Sequence, residues 1–342
     1  MSPAARATIK DVARTAGVSV ATVSRTLNNI GVVKEDTRLR VMQAVTDLNY
    51  APNVHATSLA KGHSNMIGLV VPDITNPFFN EMAKEIGDAA RARDMDLLLT
   101  NTYFDPDTAR DCIEDLVEAR VAGIVLLTSV IDFRIIEQVA EERVPICLLD
   151  LSAMRDYVSN ININFHNSTV QVIEHLISLG HRNIAYGSIR GPLKLTPERN
   201  KTFESCCQRY QGYLERYRIV EGDYSLEGGR RIVERLLEGK EEPPTAVWFG
   251  GDIMAVGALK ELQRHDLSVP GQVSIIGWGN TQFSSYSEPE LTTVSVDFKQ
   301  IGQLSVAAID HILSAVVKAG LEYSINSTLL VRASTGPAPH GS

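Results

Sequence analysis

No unbroken apolar run in this chain reaches the roughly 18–20 residues that a bilayer crossing requires, and its first residues lack the apolar core of a secretory signal. Those two absences point to a soluble, cytoplasmic protein with no membrane partner. Cysteine is scarce: Cys112, Cys147, Cys206 and Cys207 are the only four, and none stands in a CxxC pair. Neither a zinc site nor a disulfide framework is therefore expected, and only the vicinal Cys206 and Cys207 keep a redox or metal element open. Catalytic signatures are missing too. There is no G-x-S-x-G, no HExxH and no GxxxxGK[ST], and Gly277-Trp278-Gly279 lacks the third glycine of a dinucleotide fingerprint. An enzyme is not expected, nor is a cofactor or a metal.

What is present is a chain of 342 residues, 44% apolar and 22% charged, enough to bury a large core and to divide into two or three domains. Its charge is uneven. Residues 1–63 carry eight Lys/Arg against four acids, a balance of +4, whereas the whole chain is at −8, so the remainder carries −12. A basic head on an acidic body suggests that the head alone meets a polyanion.

The head opens with TIKDVARTAGVSVATVSRTLNN, Thr8 to Asn29. Thr8 stands as an N-cap with Asp11 three residues on, and Ile9, Val12, Ala13 and Ala16 make one apolar face. Gly17 ends that helix, because glycine enters the left-handed conformation without steric cost. Ser19 caps a second helix that turns Val23 and Leu27 inward and leaves Val20, Ala21, Ser24 and Arg25 outward. This is a helix-turn-helix with its second helix free to enter a major groove. A third amphipathic helix, Glu35 to Leu48, offers Leu39, Met42 and Val45 to the same core.

TIKDVARTAGVSVATVSRTLN, followed by NYAPNVHATSLAKG and IGLVVPDITNPFF, resembles the lactose/galactose repressor family of bacterial transcription regulators over nearly the whole chain. The resemblance implies that the start of the second helix reads bases, which falls here on Val20 and Ala21, with Arg25 one turn later. Val and Ala can only touch thymine methyls, whereas Arg25 can grip a guanine with two hydrogen bonds. Thr8, Ser19, Thr22, Ser24 and Asn28 read as caps or phosphate contacts, which set register. Pro52 halts the third helix, and Asn53 can cap a short one reaching Lys61 that is marginal on its own. In the resembling family such a hinge folds on DNA in a dimer and wedges a leucine, here Leu59, into the minor groove. Packing between domains is the other reading of Leu59. Thr57 stands where the family usually has arginine, removing one charged contact.

From Ile67 onward short apolar strands alternate with helical patterns, the signature of parallel βαβ units. The run IGLVV, DLLLTN, GIVLLT and ICLLD makes a first series. NIAYGS, TAVWFG and VSIIGWG make a second, with helices expected to end near Arg216 and Leu237. LTTVSV then crosses back toward a helix at Gln300 to Lys318 and a last strand, TLLVRAS. The expected architecture is thus an all-α helix-turn-helix head (1–52), a hinge helix and linker (53–64), and an α/β body (65–335) of two doubly wound parallel sheets. Lobe 1 spans about 65–160 and 295–335, lobe 2 about 161–294, and 336–342 is a flexible tail. Ligands of such sheets bind at the carboxyl ends of the strands, here in the cleft between lobes.

The resemblance implies a periplasmic-binding-protein-like body holding a carbohydrate-derived effector. Its pocket transfers to Asp73, Phe78 and Phe79 in DITNPFF, Asp150 after ICLL, Arg209 in the R-x-x-G-Y of RYQGY, and Tyr224. Phe78 and Phe79 equally suit the core, and Tyr224 equally suits packing between helices. Two departures stand out: Gly279 where the family commonly has aspartate, and Gly251 where it frequently has asparagine. The stretch from Gly191 to Arg209 also looks lengthened, carrying Lys194, Arg199 and Lys201, while Asp252 reads as a cap. Three pockets fit: one for an anionic sugar derivative using Arg209 and an insertion cation, one for a neutral ligand using a different polar set such as Asn280, and one that binds no small molecule tightly. The functional expectation is a repressor that binds a pseudo-palindromic double-stranded operator as a homodimer under effector control. A ligand-sensing module acting through a protein partner is the alternative.

Overall fold

The computed structural model describes residues 7–27, 33–50, 64–127, 130–151, 153–191, 195–239 and 242–339. They form two compact units, one through Ser64 and one from Asn65.

In the first unit α1 (Ile9–Ala16), α2 (Val20–Leu27) and α3 (Glu35–Asp47) enclose a small core of Val12, Ala13, Ala16, Val23, Val41 and Ala44. Thr8 and Asp11 form a reciprocal capping box: the Asp11 amide donates to Thr8 Oγ1 (3.4 Å), and the Thr8 amide donates to Asp11 Oδ2 (3.0 Å). The Thr8 hydroxyl holds the Asp11 carboxyl below its usual range. Gly17 is left-handed (φ 66°), and the Val18 amide returns to the Ala13 carbonyl at 3.0 Å. Arg40 reaches from α3 to the Ala16 carbonyl at 3.3 Å, tying the third helix to the end of the first. The inward stripe of α3 is Val41 and Ala44, with Val45 and Leu48 packed beside them. Leu39 and Met42, expected inside, are 62% and 47% exposed, because the helix presents the adjacent row of its 3.6-residue period to the core.

The second unit contains two six-stranded sheets. The first has the order β11-β5-β4-β3-β1-β2, from β1 (Met66–Val71), β2 (Asp96–Asn101), β3 (Gly123–Leu126), β4 (Ile146–Leu149), β5 (Val158–Ile163) and β11 (Glu322–Ile325). All its pairings are parallel. The second has the order β12-β10-β9-β8-β6-β7, from β6 (Asn183–Ile189), β7 (Arg216–Gly222), β8 (Ala246–Phe249), β9 (Ser274–Gly279), β10 (Thr292–Ser295) and β12 (Thr328–Leu330). Here only β10 and β12 run antiparallel. The chain passes between sheets three times: after Ile163, after Ser295 and after Ile325.

Four expectations are corrected. Lobe 2 begins after Ile163, since β5 is a full strand of the first sheet. The last strand, Thr328–Leu330, belongs to the second sheet and not to lobe 1; a separate strand, Glu322–Ile325, supplies the edge of the first. The helix expected to run to Arg216 stops at Arg209, and Arg216–Gly222 is a strand, its alternating charged residues placed on an edge of the sheet. The tail is anchored at least as far as Ala338. Gly336 donates to Ser274 Oγ (3.1 Å) and accepts from His181 Nε2 (3.1 Å), while the Ala338 amide donates to the Leu179 carbonyl (2.8 Å).

Candidate functional site

On α2 the Ser19 hydroxyl accepts the Thr22 amide at 3.1 Å, which starts the helix, and Thr26 is anchored to the Thr22 carbonyl at 2.8 Å. Val23 (0% exposed) and Thr26 (4%) face inward. Val20, Ala21 and Arg25 are exposed on the opposite face, with Thr22 and Ser24 half-buried between the two. Leu27, expected inward, only borders the core. Thr8 is spent on its capping box at the start of α1. Asn28, Asn53 and Leu59 lie outside the described residues.

The second candidate site is a cavity of about 70 Å³ where the two sheets' carboxyl ends meet. Phe78 and Phe79 enter it from α4 (Pro77–Arg91), whose first turn is capped by Asn76 accepting the Phe78 amide at 3.1 Å. Asp150 follows β4 in a left-handed conformation (φ 56°), which aspartate tolerates better than most residues. One of its oxygens accepts the Ile163 amide at 2.5 Å, and the other meets Arg199 Nη2 at 3.1 Å. Arg199 comes from the helix Leu195–Arg209, so this ion pair joins the lobes; its side chains are 13% and 9% exposed for Arg199 and Asp150. The guanidinium carbon lies 4.5 Å from the Trp278 ring centre and 4.9 Å from that of Phe165, within cation–π range of both. Burial pushes the Asp150 carboxyl upward, and Arg199 opposes that shift. Burial also raises Tyr186, to about 12, and raises Tyr224.

Aromatic contacts complete the bridge between lobes. Phe78 lies 5.3 Å from Trp278, and Phe79 meets Tyr224 edge-on at 5.9 Å. Of the pocket residues expected, Phe78, Phe79, Asp150 and Tyr224 line the cavity, and three do not. Asp73 bends its own loop, accepting the Thr75 amide and hydroxyl at 2.8 and 2.7 Å. Arg209 is exposed at the far end of the helix that carries Arg199. Asn280 accepts from Arg332 Nη2 at 2.6 Å and donates to Ser295 at 3.2 Å, securing the loop after β9. Asp252 behaves as a cap, though of a neighbouring turn: it accepts the Thr281 amide at 2.7 Å and the Thr293 hydroxyl at 2.5 Å. Among the described residues no cluster of three or more His, Cys, Asp or Glu could hold a metal, and no helix is long and apolar enough to cross a membrane.

Residues 8–53 match the profile of the bacterial regulatory proteins of the lacI family, and residues 173–335 that of a periplasmic binding protein-like domain. The HTH-type transcriptional regulator DegA of Bacillus subtilis (strain 168) is 33% identical over 337 residues, covering 97% of this chain and 99% of DegA. The chain belongs to the lacI family of transcriptional regulators. Catabolite control protein A of Priestia megaterium is 32% identical, covering 87% of this chain and 90% of that protein. A lac repressor dimer bound to operator and the anti-inducer ONPF superposes with a TM-score of 0.80 at 27% identity, covering 97% of this chain and all of that one. These lacI-family relatives are regulators and not enzymes, and the chain shares their pairing of a DNA-binding head with a ligand-binding body.

Within this lacI-family framework the two glycine departures have a steric reason. A Cβ on Gly251 would fall 2.2 Å from the Tyr224 ring, and one on Gly279, at φ 124°, would lie 3.3 Å from Phe78. Aromatic rings occupy the space that polar side chains would otherwise take. The residues missed by sequence reasoning are Trp278, Phe165 and Tyr186, whereas Arg199 was named only as one of three insertion cations, behind Arg209. A signal for Arg199 existed: it precedes the buried Phe203 by one helical turn, so its guanidinium shares a face with the core aromatics.

Proposed function

We propose that this regulator represses transcription in the cytoplasm, binding a pseudo-palindromic operator as a homodimer whose affinity is set by a small carbohydrate-derived effector in the interlobe cleft. The observation that carries the DNA half is the exposed face of α2, where Val20, Ala21 and Arg25 stand clear of a core that holds Val23 and Thr26. Apolar side chains and one arginine suit a half-site that combines thymine methyls with a guanine. Two-fold protein symmetry calls for a two-fold operator. Asn53 and Leu59 are assigned to the hinge, Leu59 as the minor-groove wedge.

The effector half is supported by the buried Asp150–Arg199 pair, an acceptor and a forked donor side by side among rings. Solved lacI-family relatives include one from Enterococcus faecium with bound ribose, 26% identical with a TM-score of 0.71 and covering 80% of this chain and 99% of that one. A ligand that stabilises one lobe arrangement over another shifts DNA affinity by that difference alone.

The test is selection of genomic fragments by the full chain, followed by fluorescence anisotropy with and without a panel of sugars. A recovered palindrome whose affinity changes with one compound is the expected result. Absence of any selected sequence would favour the protein-partner reading. Leu59→Ala should reduce DNA bending, seen as lower energy transfer between labelled DNA ends; undiminished bending would remove Leu59 from the interface.

A further inference from the structure

The first turns of α4 meet the second lobe along one seam. The Asn76 side chain, which caps α4, donates to the Tyr224 carbonyl (3.4 Å), Phe79 packs edge-on against Tyr224, and Phe78 lies 5.3 Å from Trp278. Three residues beyond Phe78, on the same face of the helix, Glu81 ends the seam with a polar contact: its Oε1 accepts the Gln282 amide at 2.7 Å. Neither Glu81 nor Gln282 lines the effector cavity. Both border a separate groove of about 720 Å³, whose lining also includes the crossover residues Ser295, Val296 and Asp297.

Lobe 2 does not satisfy this amide with its own cap. Gln282 opens the short helix Gln282–Tyr286, and Thr281 before it makes no side-chain cap. The Thr281 amide and hydroxyl both donate to Asp252 (2.7 and 3.0 Å), which ties the turn to its own lobe. From the other side Arg332 donates to Asn280 Oδ1 (2.6 Å) and to Ser284 Oγ (2.9 Å). The segment is thus fixed to lobe 2 on both flanks, with the Gln282 amide extended to lobe 1. An amide in the first turn has no partner within its helix, so it returns to water when Glu81 withdraws. On α4, Lys84 is engaged by Glu85 (2.8 Å) and Asp88 (2.9 Å). Burial pushes the Glu81 carboxyl upward, the Gln282 amide and Lys84 oppose that shift, and Asp252 and Glu85 add to it. The charge on Glu81 therefore works against closure, and what favours closure is its acceptor oxygen.

We propose that Glu81 is a positioning residue for the regulatory step: through the Gln282 amide it latches the lobes closed, and so sets the balance of closed and open lobes on which operator affinity depends. This rests on the reading of lobe arrangement as the control of DNA binding. A latch of this kind needs an acceptor and not a charge, so Glu81→Gln keeps it and Glu81→Ala removes it. It also needs the Gln282 N–H, which Gln282→Pro deletes at the first helical position, where proline is well suited. Thr281, at φ −68° and ψ 162°, already has the extended geometry that a residue before proline requires.

Hydrogen exchange and acrylamide quenching of tryptophan fluorescence test the latch on the native full chain, without ligand. Each readout carries its own reference. The Thr281 amide, bound to Asp252 within lobe 2, stands beside that of Gln282; Trp248, 0% exposed in the core of lobe 2, stands beside Trp278, which Phe78 covers from lobe 1. Glu81→Ala should lower protection of the Gln282 amide by about tenfold or more, the effect of losing a hydrogen bond to a charged group. Protection at Thr281 should stay as it is, and the quenchable share of the fluorescence should rise. Gln282→Pro should raise quenching as much, with no further rise in the double variant. It carries the same test should Glu81→Ala fail to fold. Glu81→Gln should match wild type in both readouts. Unchanged exchange and quenching in Glu81→Ala, or a Glu81→Gln that behaves like Glu81→Ala, would overturn the proposal. Operator binding by the same variants keeps the two readings apart: lobes that open while operator affinity stays at the wild-type value would sink the control of DNA by lobe arrangement and leave the latch standing.

Discussion

Arg199 holds the cleft's only buried ion pair among the described residues, and it does so between two rings. Replacing it with alanine leaves the Asp150 carboxylate buried without its cation, a loss of about 3–5 kcal/mol for such pairs. The expected result is a clear fall in the urea midpoint of Arg199→Ala, partly restored in the Asp150→Ala/Arg199→Ala double variant. Equal midpoints for wild type and the single variant would show the pair to be spectating. Gly251 makes a second prediction at this scale. Gly251→Asn forces the Tyr224 ring out of its place, so it should weaken interlobe closure, seen as a larger radius in small-angle scattering; an identical scattering curve would show that Tyr224 gives way locally. The individual pocket residues were only partly legible in the sequence. Phe78, Phe79, Asp150 and Tyr224 were reached through the family resemblance; the two phenylalanines lie in the first turn of α4, and Asp150 and Tyr224 lie just beyond β4 and β7. Arg209 and Arg199 sit on the same helix, and only the tertiary position of its first turns decides which one meets Asp150.

Helix ends and the C-terminal segment set stability at the level of elements. Thr8→Ala removes a capping box, at a cost of about 1 kcal/mol. Hydrogen exchange should show the amides of α1 losing protection by roughly fivefold, and unchanged protection would mean that the Arg40 link alone secures the helix. Two histidines hold the segment at Thr335 and Gly336. His181, 1% exposed, contacts Thr245 through Nδ1 (2.8 Å) and the Gly336 carbonyl through Nε2 (3.1 Å), and His175 contacts Thr335 at 3.0 Å. Burial lowers both below the ordinary 6.5. A pKa depressed on folding means that the neutral form is the folded form, so this stabilisation is complete above 6.5 and is lost as pH falls through the folded value. The protection factors of the Gly336 and Ala338 amides, corrected for intrinsic exchange at each pH, should therefore fall below pH 6.5 more than those elsewhere in lobe 2. Strands and helices of the body were legible because their apolar runs are bounded by turns. The swap of the last two strands between sheets was not, since three- and four-residue edge strands carry no periodicity that names a partner.

The whole molecule separates a basic head from an acidic body, a division visible in the sequence because net charge needs no fold to count. If the head grips phosphates, operator affinity must fall by about 10³-fold between roughly 50 and 200 mM salt, as counterions are released. A flat salt profile would move the head to a protein-contact role. The helix-turn-helix was readable for a related reason: cap, glycine and inward residues all lie within a few residues of one another. The most direct measurement is competition between the selected operator and scrambled DNA for the full chain and for Arg25→Ala. Wild type should prefer the operator by about 10³ or more, as specific DNA-binding proteins do, and Arg25→Ala should lose most of that preference while its body stays folded. An unchanged preference in the variant would contradict base reading by α2.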